Sequence, residues 1–173
     1  IPAFTDAQIE QIILSATTEC AKLGLTEVGE MGMESRELEI YKRLAQERRL
    51  PIRVYGAISA PGATWAEWSA KKPLIEFGDG MLTVRAMKMY ADGALGSRGA
   101  ALLEEYTDDP GNRGVTQTTE QELEENFHLA LERGFQPCVH AIGDRANTMA
   151  LDAFEKVLAP VLLWLRIKTR RLA

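Results

Sequence analysis

The 173 residues include 46% apolar and 26% charged side chains, a balance typical of a globular domain with a hydrophobic core, which excludes a disordered chain. The formal net charge is −5 with a pI near 5.2, which argues against nucleic acid and anionic membranes as partners. Two cysteines are too few for a disulfide framework. We therefore expect a cytoplasmic protein with no nucleic-acid partner and no membrane partner.

The first half of the chain alternates predicted helices and strands. Capping residues, stop signals and hydrophobic spacing set the boundaries. The predicted elements are a helix from Thr5, capped by Gln8, to Gly24, a strand at 25–28, a helix from Ser35 to Pro51, a strand at 52–58 and a helix that begins near Thr64.

The second half continues the alternation after the longest predicted strand, at 82–90. A glycine-rich connection at 92–118 follows it and is much longer than the ~2–6 residues usual between a strand and a helix. The remaining predicted elements are a helix from Thr119, capped by Glu122, to Gly134, a strand at 136–142, a helix from Asp144 to Pro160 and a last strand at 162–168. Five helix–strand repeats favour parallel strands and an α/β fold.

Two stretches place reactive side chains at predicted strand ends. Lys88 lies near the end of one strand and Asp92-Gly93 follows it, whereas His140 lies near the end of another and Gly143-Asp144 follows it. Ligands and catalytic groups collect at the carboxyl ends of parallel strands, so a site is expected there. Each residue also has a structural interpretation. Lys88 is then an edge lysine, His140 a hydrogen-bonded core histidine, Asp144 a helix cap, Asp92-Gly93 a turn and Arg98 a solvated charge.

Three ordered segments, 88–98, 106–114 and 140–147, resemble the metal-dependent amidohydrolase superfamily. The similarity is strongest to the amidohydrolase 3 branch, which includes N-substituted formamide deformylases. This resemblance implies a partial (β/α)8 barrel in which the five predicted strands correspond to the second through the sixth. The alternatives are an open parallel-sheet α/β layer and a barrel completed by oligomerisation.

The resemblance also implies a chemistry. Lys88 is expected to become a carbamate that bridges metals, and His140 to ligate metal through a neutral imidazole nitrogen. A divalent metal, expected to be zinc, would activate water to hydrolyse carbon–nitrogen bonds other than peptide bonds in small amide-type substrates. Substrate-contacting or supporting roles are then expected for Asp92, Gly93, Arg98 and Asp144.

Other family ligands are missing from their expected places. The first-strand histidine pair would precede Ile1, the eighth-strand aspartate would follow Ala173, and Thr169 stands where a sixth-strand histidine is expected. These departures leave a second functional hypothesis, a catalytically incomplete module that self-associates or binds. We expect a partial barrel domain at 1–160, an atypical basic tail at 161–173 and a homo-oligomer formed through exposed strand edges.

Overall fold

The computed structural model describes residues 3–170, with side chains described for residues 3–159. Its elements follow the predicted alternation as far as residue 160, with one additional short strand and one additional short helix. They are α1 (Asp6–Lys22), β1 (Glu27–Met33), α2 (Ser35–Gln46), β2 (Arg53–Ser59), α3 (Ala63–Ser69), β3 (Leu74–Glu76), α4 (Phe77–Gly80), β4 (Leu82–Tyr90), a 3₁₀ turn (Leu95–Ser97), α5 (Glu120–Glu132), β5 (Gln136–His140) and α6 (Asp144–Arg170).

Helix starts agree closely with the capping signals in the sequence. The Thr5 hydroxyl accepts from the Gln8 amide at 3.3 Å, while the Gln8 side chain accepts from the Thr5 amide at 2.8 Å. The Thr119 and Glu122 side chains form the same reciprocal pair at the start of α5. Both capping boxes satisfy backbone donors that a helix start leaves unpaired, which explains why these two boundaries were predictable.

The strands form a sheet in the order β1–β2–β4–β3, and β5 also pairs with β4. β1, β2 and β4 run parallel, as the alternation predicts, whereas the three-residue β3 pairs antiparallel with β4 and was not predicted. β4 ends at Tyr90, two residues after Lys88 and two residues before Asp92.

A register shift interrupts the alternation of side chains along β4. Gly56 pairs with Val84 and Ala57 with Ala86, so Arg85 is one extra residue on β4. The Arg85 side chain is exposed and donates to the Gly134 carbonyl at 3.2 Å. The shift makes β4 a bulged strand, so strict alternation holds from Ala86 to Lys88 but does not extend back through Val84.

The chain divides into two compact units. The first comprises residues 1–88 and 133–136, and the second comprises 89–132 and 137–173. The buried interior of the first includes Leu38, Leu44, Val54, Ile58 and Leu82. In the second, Leu123, Phe127, Ala146 and Ala153 are buried, and the Phe127 and Phe154 rings stack with centroids 4.4 Å apart.

The predicted last strand is wrong. α6 does not end at Pro160 but continues to Arg170, so residues 162–168 are helical, and Thr169 lies in the same helix. A short apolar run such as Val161-Leu162-Leu163-Trp164 fits a strand and a buried helix equally well by periodicity. Proline removes one hydrogen bond from a helix interior without forbidding the helix, which is how α6 passes residue 160. The division into 1–160 and 161–173 stays a prediction.

Within residues 3–170, no helix is both long enough and apolar enough to cross a membrane.

Candidate functional site

The centre of the candidate site is the carboxylate of Asp92, which lies two residues beyond the end of β4 and is completely buried. Its Oδ2 atom accepts hydrogen bonds from the backbone amides of Ala101 and Gly143, both at 2.8 Å. Its Oδ1 atom accepts from the Ile142 amide at 3.0 Å. Three hydrogen bonds offset the cost of burying this polar group, and they fix the carboxylate in one orientation.

His140 is the last residue of β5 and lies beside this carboxylate. Its carbonyl accepts from the Ala91 amide at 2.8 Å, which joins the end of β5 to the residue that follows β4. The imidazole Nε2 atom is 3.6 Å from the Asp92 Oδ1 atom, and 27% of the His140 side chain is exposed. This separation is too long for a hydrogen bond but short enough for a strong charge–dipole interaction. Nδ1 lies on the other side of the ring.

The Tyr90 ring contacts the His140 ring, with centroids 5.5 Å apart and planes tilted by 43°. Tyr90 is the last residue of β4, and its carbonyl accepts from the Thr118 hydroxyl at 2.6 Å. The far end of the 92–118 loop is therefore fastened beside its beginning. Both neighbours of the imidazole, one aromatic and one carboxylate, come from the end of β4.

The start of α6 is capped by the 92–118 loop. The Ala101 carbonyl accepts from the amides of Arg145 and Ala146, at 3.1 and 3.3 Å. The Asp144 carboxylate accepts from the amides of Leu103 and Arg145, both at 2.8 Å. Asp144 is thus the first residue of the helix and holds the loop, and its predicted substrate-contacting or supporting role stays a prediction.

Two glycines allow backbone to pack directly on backbone around this cap. A Cβ atom added at Gly143 would lie 1.9 Å from the Ala101 carbonyl oxygen, and one at Gly114 would lie 1.9 Å from that of Ala100. Gly114 also has a φ of +71°, which favours glycine. No other residue fits either position without moving the loop. The Ala100-Ala101 segment is therefore held tightly on both sides.

Gly93 and Arg98 organise the beginning of the loop. The Gly93 amide donates to the Gly99 carbonyl at 3.1 Å. The Arg98 guanidinium pairs with both carboxylate oxygens of Asp108, at 2.9 and 3.3 Å, which lowers the pKa of Asp108. Arg98 therefore forms an exposed ion pair within the loop.

Lys88 belongs to the first compact unit, whereas Asp92, Gly93, Arg98, His140 and Asp144 belong to the second. Lys88 is half-buried, pairs in register with Ser59 at the end of β2, and accepts at its carbonyl from the Ala60 amide at 2.8 Å. Its position at the carboxyl end of the strand agrees with the prediction. Its role as a metal ligand stays a prediction.

Among the described residues, no group of three or more histidine, cysteine, aspartate or glutamate side chains could hold a metal ion. Both Asp92 oxygens already accept backbone hydrogen bonds, so Asp92 is poorly suited to ligate a metal directly. His140 and the predicted carbamate on Lys88 would be two donors, fewer than the three protein ligands usual for a catalytic zinc. The described residues therefore do not form a complete metal centre by themselves.

Little in the amino-acid sequence indicates which groups hold Asp92. All three donors are backbone amides, so the identities of Ala101, Ile142 and Gly143 carry no direct polar signal. The glycine-rich composition of the 92–118 loop was the one available indication, because close backbone approach requires glycine. A buried carboxylate in this position became evident only in three dimensions.

Comparison with known proteins identifies the family. The model of the amidohydrolase family matches residues 2–166. This chain belongs to the amidohydrolase family. The Bacillus subtilis protein YtcJ, named as an amidohydrolase, is 32% identical over 163 residues, which are 90% of this chain and 30% of YtcJ.

Two solved structures share the fold of this amidohydrolase. Both are described as uncharacterized metal-dependent hydrolases, one from Pyrococcus horikoshii and one from Pyrococcus furiosus. The first has a TM-score of 0.81 and 29% identity, and covers 88% of this chain and 31% of its own. The second has a TM-score of 0.79 and 33% identity, and covers 89% of this chain and 32% of its own. The predicted superfamily and the α/β fold resembling part of a (β/α)8 barrel are confirmed, and the chain spans about a third of these relatives.

Proposed function

We propose that this chain forms part of a metal-dependent hydrolase that cleaves carbon–nitrogen bonds other than peptide bonds in small amide-type molecules. Membership of the amidohydrolase family supports hydrolysis, and the two Pyrococcus proteins are described as metal-dependent. The single structural observation that carries the proposal is the pairing of His140 with a fully buried, immobilised carboxylate. Such a carboxylate is the usual orienting partner of a metal-ligating histidine.

His140 and Lys88 are the two ligands proposed from this chain, for a divalent ion that we expect to be zinc. The Nε2 atom of His140 lies 3.6 Å from the Asp92 carboxylate, and Nδ1 is the proposed donor. Lys88 is proposed to bind as a carbamate, because a free ammonium has no lone pair to donate. Further ligands must come from outside the described residues, so no catalytic step is assigned to the metal here.

The remaining site residues are proposed to hold the His140 imidazole and the 92–118 loop in place. Asp92 fixes the imidazole, while Asp144 and Ala101 fasten the 92–118 loop to α6. A loop held at the carboxyl side of a sheet can form a wall of the substrate site and limit access of water. The similarity to N-substituted formamide deformylases makes N-formyl and other N-acyl compounds the first substrates to test.

A second candidate is a catalytically silent module that self-associates. The small number of metal donors among the described residues favours it. Within the described sheet, β1 pairs only with β2, so its outer edge presents backbone groups that another strand could bind. A homo-oligomer formed through this edge is the proposed assembly.

Metal content and intact mass of the purified chain test the proposal. Because this chain supplies two of the proposed donors, the expected result with added Zn²⁺ is weak binding that is lost in His140→Gln and retained in His128→Gln, since His128 is exposed on α5. The mass of a carbamate on Lys88 should disappear in Lys88→Arg. Hydrolysis of a formamide would exclude the silent module, whereas a chain without metal, carbamate or hydrolysis would contradict the proposed function.

A further inference from the structure

We propose that Asp92 is a positioning residue that sets the tautomer of His140, keeping the proton on Nε2 and the lone pair on Nδ1. The catalytic meaning of this arrangement rests on the proposed function. The arrangement itself rests on the geometry of the second unit. It assigns a specific task to a carboxylate that is completely buried.

Every hydrogen bond shown for the Asp92 side chain comes from a backbone amide. The Ala101, Ile142 and Gly143 amides are all donors, and both carboxylate oxygens accept from them. These bonds hold the carboxylate in one orientation. A hydrogen-bond acceptor, Oδ1, is therefore fixed beside the His140 ring.

The fixed acceptor discriminates between the two neutral forms of the imidazole. Nε2 lies 3.6 Å from the Asp92 Oδ1 atom. An N–H group at Nε2 directs a positive dipole at this oxygen, whereas a lone pair at Nε2 would be repelled by it. Because the three amides hold Asp92 in place, the Nε2–H form is favoured for a ring in this orientation. Nδ1 is then left as the nitrogen with a lone pair to donate.

The substitution Asp92→Asn reverses this preference with little change in shape. The asparagine oxygen should occupy the Oδ2 position, because two amides donate there and only one donates at Oδ1. The NH2 group then faces Nε2 of His140. A donor in that place favours the lone pair on Nε2 and moves the proton to Nδ1.

Imidazole nitrogen–proton correlation spectra of the 15N-labelled, metal-free chain measure the tautomer directly. The chain has two histidines, so exposed His128 is an internal reference, and His128→Gln assigns the signals. At a pH where both rings are neutral, we expect His140 to show the Nε2–H pattern. Asp92→Asn should shift the His140 signals towards the Nδ1–H pattern and leave those of His128 unchanged.

Asp144→Asn is the matched control, because Asp144 is a nearby carboxylate whose bonds go to Leu103 and Arg145. Its His140 tautomer should remain that of the unsubstituted chain. The proposal is overturned if His140 in the unsubstituted chain is protonated on Nδ1, or has the same tautomer mixture as His128. That measurement uses the unsubstituted chain, so the proposal can be tested even if Asp92→Asn does not fold. It also needs neither metal nor substrate, so its failure is distinct from a failure of the hydrolase proposal.

Discussion

The 92–118 loop is anchored in two very different ways. At one anchor, the buried Asp92 carboxylate accepts three backbone hydrogen bonds, one from Ala101 in the same loop and two from the segment after β5. At the other, exposed Arg98 pairs with Asp108 inside the loop itself. Water solvates the second pair whether or not it forms, but water cannot replace the first set of contacts. The position of an ionic group, more than its charge, decides how much structure depends on it.

The largest expected effect is that of Asp92→Ala. Removing the carboxylate leaves three amides without their partner, at ~1–3 kcal/mol each, so we expect a loss of unfolding free energy of about 3 kcal/mol or more. Urea unfolding followed by circular dichroism measures it. A loss of unfolding free energy no greater than that of Arg98→Ala would show that water can replace Asp92 as the partner of the three amides. The two anchors would then not differ.

Gly143→Ala tests the packing next to the same carboxylate. The added methyl group would overlap the Ala101 carbonyl oxygen, so either the loop or α6 must move, at a cost of about 1–3 kcal/mol. Gly96→Ala is the matched control, because a methyl group added there meets no atom within 4 Å. Equal melting temperatures for the two variants would contradict the close approach.

Tyr106→Phe probes an uncharged contact within the same buried region. The Tyr106 hydroxyl donates to the Ala100 carbonyl at 2.9 Å, and the substitution removes only this bond. We expect a loss of about 1 kcal/mol in unfolding free energy, smaller than that of Asp92→Ala because no charge is involved. A loss as large as that of Asp92→Ala would mean that the hydroxyl, and not the carboxylate, is the main anchor.

The smallest expected effect is that of Arg98→Ala, and it should depend on pH. The hydrogen bond from Arg98 lowers the pKa of Asp108 in the folded chain below its value in the unfolded chain. The pair therefore stabilises the fold above the ordinary aspartate range, and this contribution disappears as the pH falls through the lowered pKa. The unfolding free energies of the unsubstituted chain and of Arg98→Ala, measured at neutral and at acidic pH, should differ slightly at neutral pH and not in acid. A difference that persists in acid would indicate a packing role for Arg98 instead.

The sequence predicted the ends of several elements well because local groups determine them. Thr5 with Gln8, and Thr119 with Glu122, are sets of neighbours whose hydrogen bonds require no other part of the chain. The placement of Lys88 and His140 at strand ends followed from the same kind of local signal. The apolar residues after Pro160 show the limit, because a run of that length fits either element and only the continuation of α6 decides it.

The support of His140 was beyond prediction for a different reason. Asp92 could be recognised as a turn residue or a site residue, but its partners lie nine, fifty and fifty-one positions away and act through their backbone. Backbone donors are the same for every residue except proline, so no side-chain pattern reveals which of them converge. The long loop indicated a functional region, whereas the identity of its anchor required the fold.

Gly114 and Gly143 pack against the backbone of Ala100-Ala101. This packing divides the loop into a stem, which contains Ala100-Ala101 and Gly114, and a tip between them. One residue inserted or deleted in the stem would displace the carbonyl that caps α6. The tip between Leu103 and Asn112 turns back on itself through the Tyr106–Asn112 backbone bond, and Tyr106 and Asp108 tie it to Ala100 and Arg98. Its length can therefore vary only where these two contacts are kept. Tips that keep these contacts could therefore be exchanged among family members, which would change the loop sequence and leave the surroundings of His140 as they are.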